Sequence, residues 1–588
     1  MLKLSPTTQA HLDAGLAHQA EGRIQEAVAE FVQAAQLQPA SLDVQRTLGN
    51  ALAKLGDLEK AKACFDAALR LEPLDIESYR GRGLVLKRLK QWTDAAENFS
   101  IALRLQANAE DYYERAICWK NLEQATKALD DYDRALRLKP DFVEAYINRA
   151  NARNRMGDLD GSQADYKRAL ELNPKLATAW YNRGNAWRNR GEFEKAISDF
   201  NQAIQLSPND AMAYHNRGLA YQELGNVTQA LADLTQAIRL DPKNAKAYYN
   251  RGLALQQELE FEKAVADFTK SLKLNPKYAL ALQSRGWVRC KQDQFDLALA
   301  DLNQALQLQP NSAQAYQGRG FIYERQGKFA EALADYQHAL KLAPRSPITY
   351  YQLGRVQSKL KNYTQAIDDY TTALQFDSTF AKAWLNRGWV YALQGKLDQA
   401  VADYTEALGC DEHYARAYFN RADALIELGR PEKAMVDYSD ALRCDDRMAE
   451  AYFNRAWVWH QQGAYDKAAA DFSDAIRLKP QQPQAYIARG LVWVDKKDFK
   501  RALVDLSAAI KLAPNNAAAL SARAWVRVQQ RAYGEAIGDY TQAIRLAPKC
   551  AENYLGRAHA FFKQGRTAEA QKDRRKVGEL APHLALKK

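Results

Sequence analysis

The chain has 588 residues, 47% of them hydrophobic and 26% charged, a balance that excludes a disordered polymer and implies ordered structure throughout. Its formal net charge of +11 permits an acidic partner without requiring one. The N-terminal MLKLSPTTQAHLDAG lacks a signal-peptide core, and no window approaches the roughly 20 apolar residues of a membrane span, so a cytoplasmic location without membrane insertion is expected. Six scattered cysteines without a CxxC pair argue against a zinc site or disulfide framework and read as small buried fillers.

After a leader at 1–7, a period of 34 residues runs from 8 to 584, with repeats starting at 8, 42, 76, 109, 143, 177, 211, 245, 279, 313, 347, 381, 415, 449, 483, 517 and 551 and a tail at 585–588. Within one repeat, position 4 is usually aromatic, position 8 is Gly or Ala in every copy, and position 20 is Ala everywhere except Ser162. Position 24 is mostly Phe or Tyr and position 27 mostly Ala, while position 32 holds thirteen of the seventeen prolines. Apolar residues at intervals of three and four through positions 4, 8, 11 and again 20, 24, 27 predict two amphipathic helices per repeat. Small residues at 8 and 20 let the two backbones approach, the aromatics at 4, 11 and 24 are expected to fill the space around them, and proline ends the second helix. No repeat can bury its apolar face alone, so neighbours must stack.

This pattern resembles the tetratricopeptide repeat family over almost the whole chain. The resemblance implies an all-α fold, a right-handed α-solenoid superhelix of about 17 stacked helix-turn-helix repeats making roughly two superhelical turns. First helices would line its concave groove and second helices its convex wall.

Two departures from the family pattern stand out. Position 7, apolar in the family, is Arg in fourteen repeats from Arg82 to Arg557, and position 23 is Asp in repeats 4 to 17, as in Asp165, Asp199 and Asp403. A guanidinium beside packed positions needs a carboxylate, so a ladder of Arg–Asp pairs is expected, within or between repeats, setting register rather than adding stability. Repeats 1 and 2 lack both members.

Along the chain, positions 2, 5, 6, 9, 12 and 13 of the first helices should face the groove. The early repeats place Arg46, Lys54, Arg80, Lys87, Arg88, Lys120, Arg155 and Arg188 there, a cationic stretch suited to an acidic segment. The junction "LQANAEDYY" between repeats 3 and 4 is one residue short and lacks its proline, which is expected to change the stacking locally. Position 6 is then Asn148, Asn182, Asn216 and Asn250 in repeats 5 to 8, and Asn386, Asn420 and Asn454 in repeats 12 to 14. An amide offers both donor and acceptor to a peptide backbone, and first helices roughly 10 Å apart match three residues of extended chain at about 3.3 Å each. The arrangement is similar to the asparagine ladder in the repeat superhelix of protein O-GlcNAc transferase, which implies a grip on extended polypeptide; that enzyme's catalytic domain has no counterpart here. The alternative is that these amides only cap or hydrate the helix surface. Later repeats place Trp287, Phe321, Trp389, Trp457 and Trp525 at position 9, as aromatic anchors or as packing against the next repeat. The last repeat carries Arg574 in an aromatic position and "QKDRRKVGEL" in its second helix, as a solvated cap would.

Catalytic signals are missing: eight histidines show no HExxH spacing, and neither GxSxG nor a phosphate-binding GxxxxGK[ST] occurs. The expectation is a non-enzymatic scaffold or adaptor, without cofactor or metal, that wraps an extended or disordered segment of another protein. Nucleic-acid binding through the basic early repeats is the alternative; against it, basic and aromatic residues are segregated rather than interleaved.

Overall fold

The computed structural model describes residues 4–581 and 583; the expected end of the array at 584, the tail at 585–588 and the first three residues of the leader lie outside them. Thirty-four α-helices follow one another from Pro6–Ala20 to Thr567–Leu580, two per repeat, and no strand occurs among the described residues. Each unit of the all-α chain, one ending at Leu308 and one beginning at Gln309, is a solenoid of helix pairs packed on their neighbours.

Repeat 6 shows how the sequence builds a pair. Its first helix, Ala177–Asn189, covers positions 1–13, and its second, Phe193–Leu206, covers positions 17–30. Between them Gly191 takes φ +82°, and the Glu192 N–H donates to the Trp187 carbonyl at 3.0 Å, a left-handed C-terminal cap that satisfies carbonyls the helix leaves open. Position 15 is left-handed in all seventeen repeats: ten carry Gly, and seven carry a side chain, among them Leu259 at φ +60°, where an L-residue costs about 1–2 kcal/mol. The first helix of repeat 1 starts at Pro6, two residues before the expected block, because Ser5 caps it by accepting the Thr8 N–H. In repeat 4 the missing residue comes from the connection, since Leu105 ends one helix, Asn108 caps the next and both helices keep their length.

The core differs from the expectation in one respect. Position 24 is the buried ring, as in Tyr132, Phe200 and Tyr336, and position 8 must be small to meet it: a Cβ on Gly184 would stand 2.8 Å from the Phe200 ring. The aromatic at position 4, however, stays half-exposed, and the helix faces close instead through position 3 (Ala145, Ala179, Ala213) and position 10 (Ala152, Ala186, Val288), all buried. The cysteines also correct the expectation: Cys118 and Cys290 are buried, whereas Cys410 is exposed.

Candidate functional site

The arginine at position 7 lies in the seam between the two helices of its own repeat and points at the aspartate of position 23. Thirteen such pairs form, from Arg115–Asp131 to Arg557–Asp573, at 2.5–2.8 Å. Most are bidentate: in Arg421–Asp437, Nε donates to Oδ2 at 2.7 Å and Nη2 to Oδ1 at 2.8 Å, the geometry that suits a planar fork to a carboxylate. The remaining Nη1 reaches back to position 25 of the preceding repeat, as from Arg421 to the Thr405 hydroxyl at 3.0 Å, Arg455 to Ser439 at 3.1 Å and Arg149 to Asp133 at 2.6 Å. An arginine of this kind joins its own helix pair and clips that pair to the one before it; Arg183, preceded by Lys167 at position 25, makes the first bond without the second. The ring at position 4 lies under the same guanidinium, 4.8 Å away for Arg183 over Trp180 and 5.7 Å for Arg421 over Tyr418, a cation–π stack one helical turn upstream. The hydrogen bonds that Arg251 donates to Asp267 hold its guanidinium above its ordinary pKa against the opposing effect of burial.

Two repeats break the rule. In repeat 3 the carboxylate has moved: Arg82 meets the Asn98 amide oxygen at position 23 (2.7 Å) and Asp66 of the preceding repeat (2.6 Å). In repeat 11, Pro347–Lys359 and Tyr363–Phe376, position 7 is the buried Leu353, so Asp369 has no arginine. Burial, reinforced by neighbouring Asp368, pushes its carboxyl up from 3.8 to about 7. The joint between repeats 10 and 11 carries a different pair instead, the fully buried Glu324 with Arg355 at 2.9 Å and Lys359 at 3.2 Å.

On the first-helix face, the asparagines of position 6 are held by the preceding repeat. The Asn148 amide donates to the Tyr113 hydroxyl (3.0 Å), Asn216 to Tyr181 (2.8 Å) and Asn386 to Tyr351 (3.2 Å), while Asn250 faces the His215 ring at 3.1 Å. Burial, aided by Arg188 and Lys246, pushes His215 down to about 4, so it meets Asn250 as a neutral imidazole. Asn454 donates to Asp423 at 2.8 Å. Two amides also lose their oxygens: Asn148 accepts from Lys120 at 3.4 Å, and Asn216, only 7% exposed, accepts from Arg188 at 3.1 Å. Asn182 and Asn420 stand apart, half-buried and without a hydrogen bond to another described residue. The cause at Asn182 is local, because the preceding repeat places Ile147 where its neighbours have Tyr113 and Tyr181.

Position 12 of one repeat thus faces position 6 of the next. The cations divide accordingly. Arg46 pairs with Asp75 and Asp43, Arg80 with Asp111 and Glu77, and Lys87 with Glu114, so three of the eight cations have carboxylate partners. Arg88 donates to the Ala53 carbonyl. Lys120 and Arg188 are half-buried beside asparagines with no carboxylate, and burial lowers the pKa of both. Lys54 and Arg155 are exposed. Of the aromatics, Trp389 and Trp525 are 45% and 43% exposed, Trp457 packs edge-on to Phe472 at 5.7 Å, and Trp287 and Phe321 are half-buried. Sequence reasoning did not single out the hydroxyls and amides of position 25, although that column is predominantly Ser, Thr, Asn or Asp, nor the position-5 tyrosines that hold the asparagines. No cluster of His, Cys, Asp and Glu suited to a metal ion occurs among the described residues, and no described helix is long and apolar enough to cross a membrane.

Models of the TPR repeat match residues 150–187, 184–225 and 223–258, and further tetratricopeptide repeat models match 18–81, 245–278, 285–350, 347–380, 381–414, 419–483, 487–549 and 521–575. The chain belongs to the tetratricopeptide repeat family. Among solved structures, this tetratricopeptide repeat protein is similar to YrrB, described as a TPR protein with an unusual peptide-binding site, at 25% identity over 31% of this chain and 95% of that one, with a TM-score of 0.28. It is similar to the APC/C hetero-tetramer Cut9–Hcn1 at 17% identity over 83% and 96% (TM-score 0.38), and to MamA at 27% over 27% and 94% (TM-score 0.26). No curated protein matches it. Tetratricopeptide repeats make it a protein–protein interaction scaffold.

Proposed function

We propose that this scaffold holds an extended polypeptide segment along the first helices of repeats 4 to 8, and that the side-chain amides of position 6 grip its backbone. The observation that carries this reading is Asn182, whose amide has no bond to another described residue while Asn148 and Asn216 on either side are engaged at both ends. Asn250 adds an amide oxygen, its nitrogen being held by His215. Fixing the amide before the ligand arrives lowers the ordering cost of binding. Lys120 and Arg188, half-buried without carboxylates, favour a segment that brings acidic groups. The ion pairs of Arg46, Arg80 and Lys87 oppose the nucleic-acid alternative, since these cations already have counter-charges.

The test is a pull-down from the source cell's lysate with wild type and an Asn182→Ala, Asn250→Ala variant of unchanged melting temperature, protein and nucleic acid both being quantified. A protein retained by wild type and lost by the variant is the expected result. Retention of nucleic acid, with affinity falling by about one logarithmic unit of slope per phosphate contact as salt rises, would overturn it, as would equal retention by the variant.

A further inference from the structure

Position 3 of the first helix is a fully buried alanine through most of the array, Ala519 in repeat 16 being one instance. Repeat 17 replaces it with Asn553, 2% exposed, whose Oδ1 has no hydrogen-bond partner. A buried acceptor left unpaired costs about 1–3 kcal/mol, and twelve of the other sixteen repeats fill this position with alanine, Ser78, Asp111 and Thr349 being the polar exceptions. Asn553 lines a cavity of about 1000 Å³ on the first-helix side of repeats 15 to 17, whose apolar wall includes Leu491, Ala522, Trp525, Val528 and Leu555. The size lies at the upper end for ligand sites and exceeds what one aliphatic side chain fills. Arg574, His559 and Glu552 stand among its lining, and burial together with Lys563 and Arg574 lowers the His559 pKa, which leaves Arg574 as the cation of the site. Arg574 occupies position 24, where thirteen of the other sixteen repeats have a ring and three a leucine, and is itself exposed over Phe562 at 6.0 Å.

We infer that this cavity is a second recognition site, which takes a tryptophan or tyrosine side chain of a partner protein, its N–H or O–H donating to Asn553 Oδ1, its ring lying against Trp525 and Leu555, and an adjacent acidic residue facing Arg574. The ring supplies apolar area with one polar handle, which is what an apolar wall with a single buried acceptor selects. A site built around such an acceptor discriminates against a ligand that lacks the donor, because the acceptor then stays unpaired.

The experiment uses the full chain and three blocked dipeptides, N-acetyl-Trp-Glu-amide, N-acetyl-Tyr-Glu-amide and N-acetyl-Phe-Glu-amide, titrated by ligand-observed NMR. The Trp and Tyr peptides should bind about tenfold more tightly than the Phe peptide. Asn553→Ala, which installs the residue found in repeat 16, should erase that preference while leaving the melting temperature unchanged or raised. Arg574→Gln should weaken all three peptides alike. Equal binding of the Phe peptide to wild type, a preference that survives Asn553→Ala, or no binding of any peptide would each overturn the assignment. The Asn182→Ala, Asn250→Ala variant should bind the dipeptides as wild type does, so failure here and failure of the backbone grip in repeats 4 to 8 are read separately.

Discussion

Repeats 12 to 17 and repeat 11 have the same helix pair and the same aspartate at position 23, yet in the first group that aspartate is clamped by an arginine and in the second it is alone beside a leucine. The lesson is that the helix pair closes without the ion pair, Gly354 lying close against the Tyr370 ring, while Tyr336, Leu353 and Val356 complete the joint between repeats 10 and 11. The arginine is needed where it stands because the carboxylate is buried there. Removing it and never having had it are therefore different experiments.

The largest expected effect comes from breaking the regular side. Arg421→Leu strands the buried Asp437 and should cost about 3–5 kcal/mol in urea unfolding, while Arg421→Leu with Asp437→Leu should recover most of it; equal losses for single and double variants would mean the guanidinium acts only through packing. Conversely, Leu353→Arg installs the missing member in repeat 11. In a cycle with Asp369→Leu the coupling should be favourable and about 0.5–3 kcal/mol, and zero coupling would show that the two positions do not meet in this repeat.

The titration of Asp369 sharpens the contrast further. Its folded pKa of about 7 lies above the ordinary 3.8, so between those values the folded state binds more protons than the unfolded one and stability falls as pH rises. Stability from this group is fully present below about pH 4 and lost by about pH 7. Melting curves of wild type and Asp369→Asn should diverge across that window, the wild type losing ground as pH increases; parallel curves would place Asp369 in water. The smallest effect belongs to the backward clip: Thr405→Val removes the Nη1 acceptor of Arg421 and should cost about 0.5–1.5 kcal/mol, whereas Gln337→Val, at the matching place before repeat 11, should cost less.

Much of this was legible in the sequence because the period repeats every constraint. Gly or Ala at 8, Ala at 20 and a ring at 24 mark the closest approach of two helices, and Arg at 7 with Asp at 23 predicted their pairing. The role of position 4 was misread: its spacing is helical, but three residues before an arginine it can cover a guanidinium as readily as enter a core. The groove was less legible, since whether an asparagine is free depends on position 5 of the repeat before it. Asn182 and Asn216 look alike within their own blocks, and only Ile147 against Tyr181 separates them. The division at Leu308 falls at the end of the second helix of repeat 9 and left no mark in composition.

From repeat 4 onward, both charges of each pair between position 7 and position 23 lie inside one block, and the clip to position 25 crosses the boundary. A gene that gains, loses or transposes whole blocks therefore keeps each of these pairs intact; the joint between repeats 10 and 11 is different, since the buried Glu324 takes its cations from the next block. Arrays of this kind can change length by unequal recombination and still fold at the first attempt, whereas repeat 3, whose arginine takes its carboxylate from repeat 2, has to be inherited together with its neighbour.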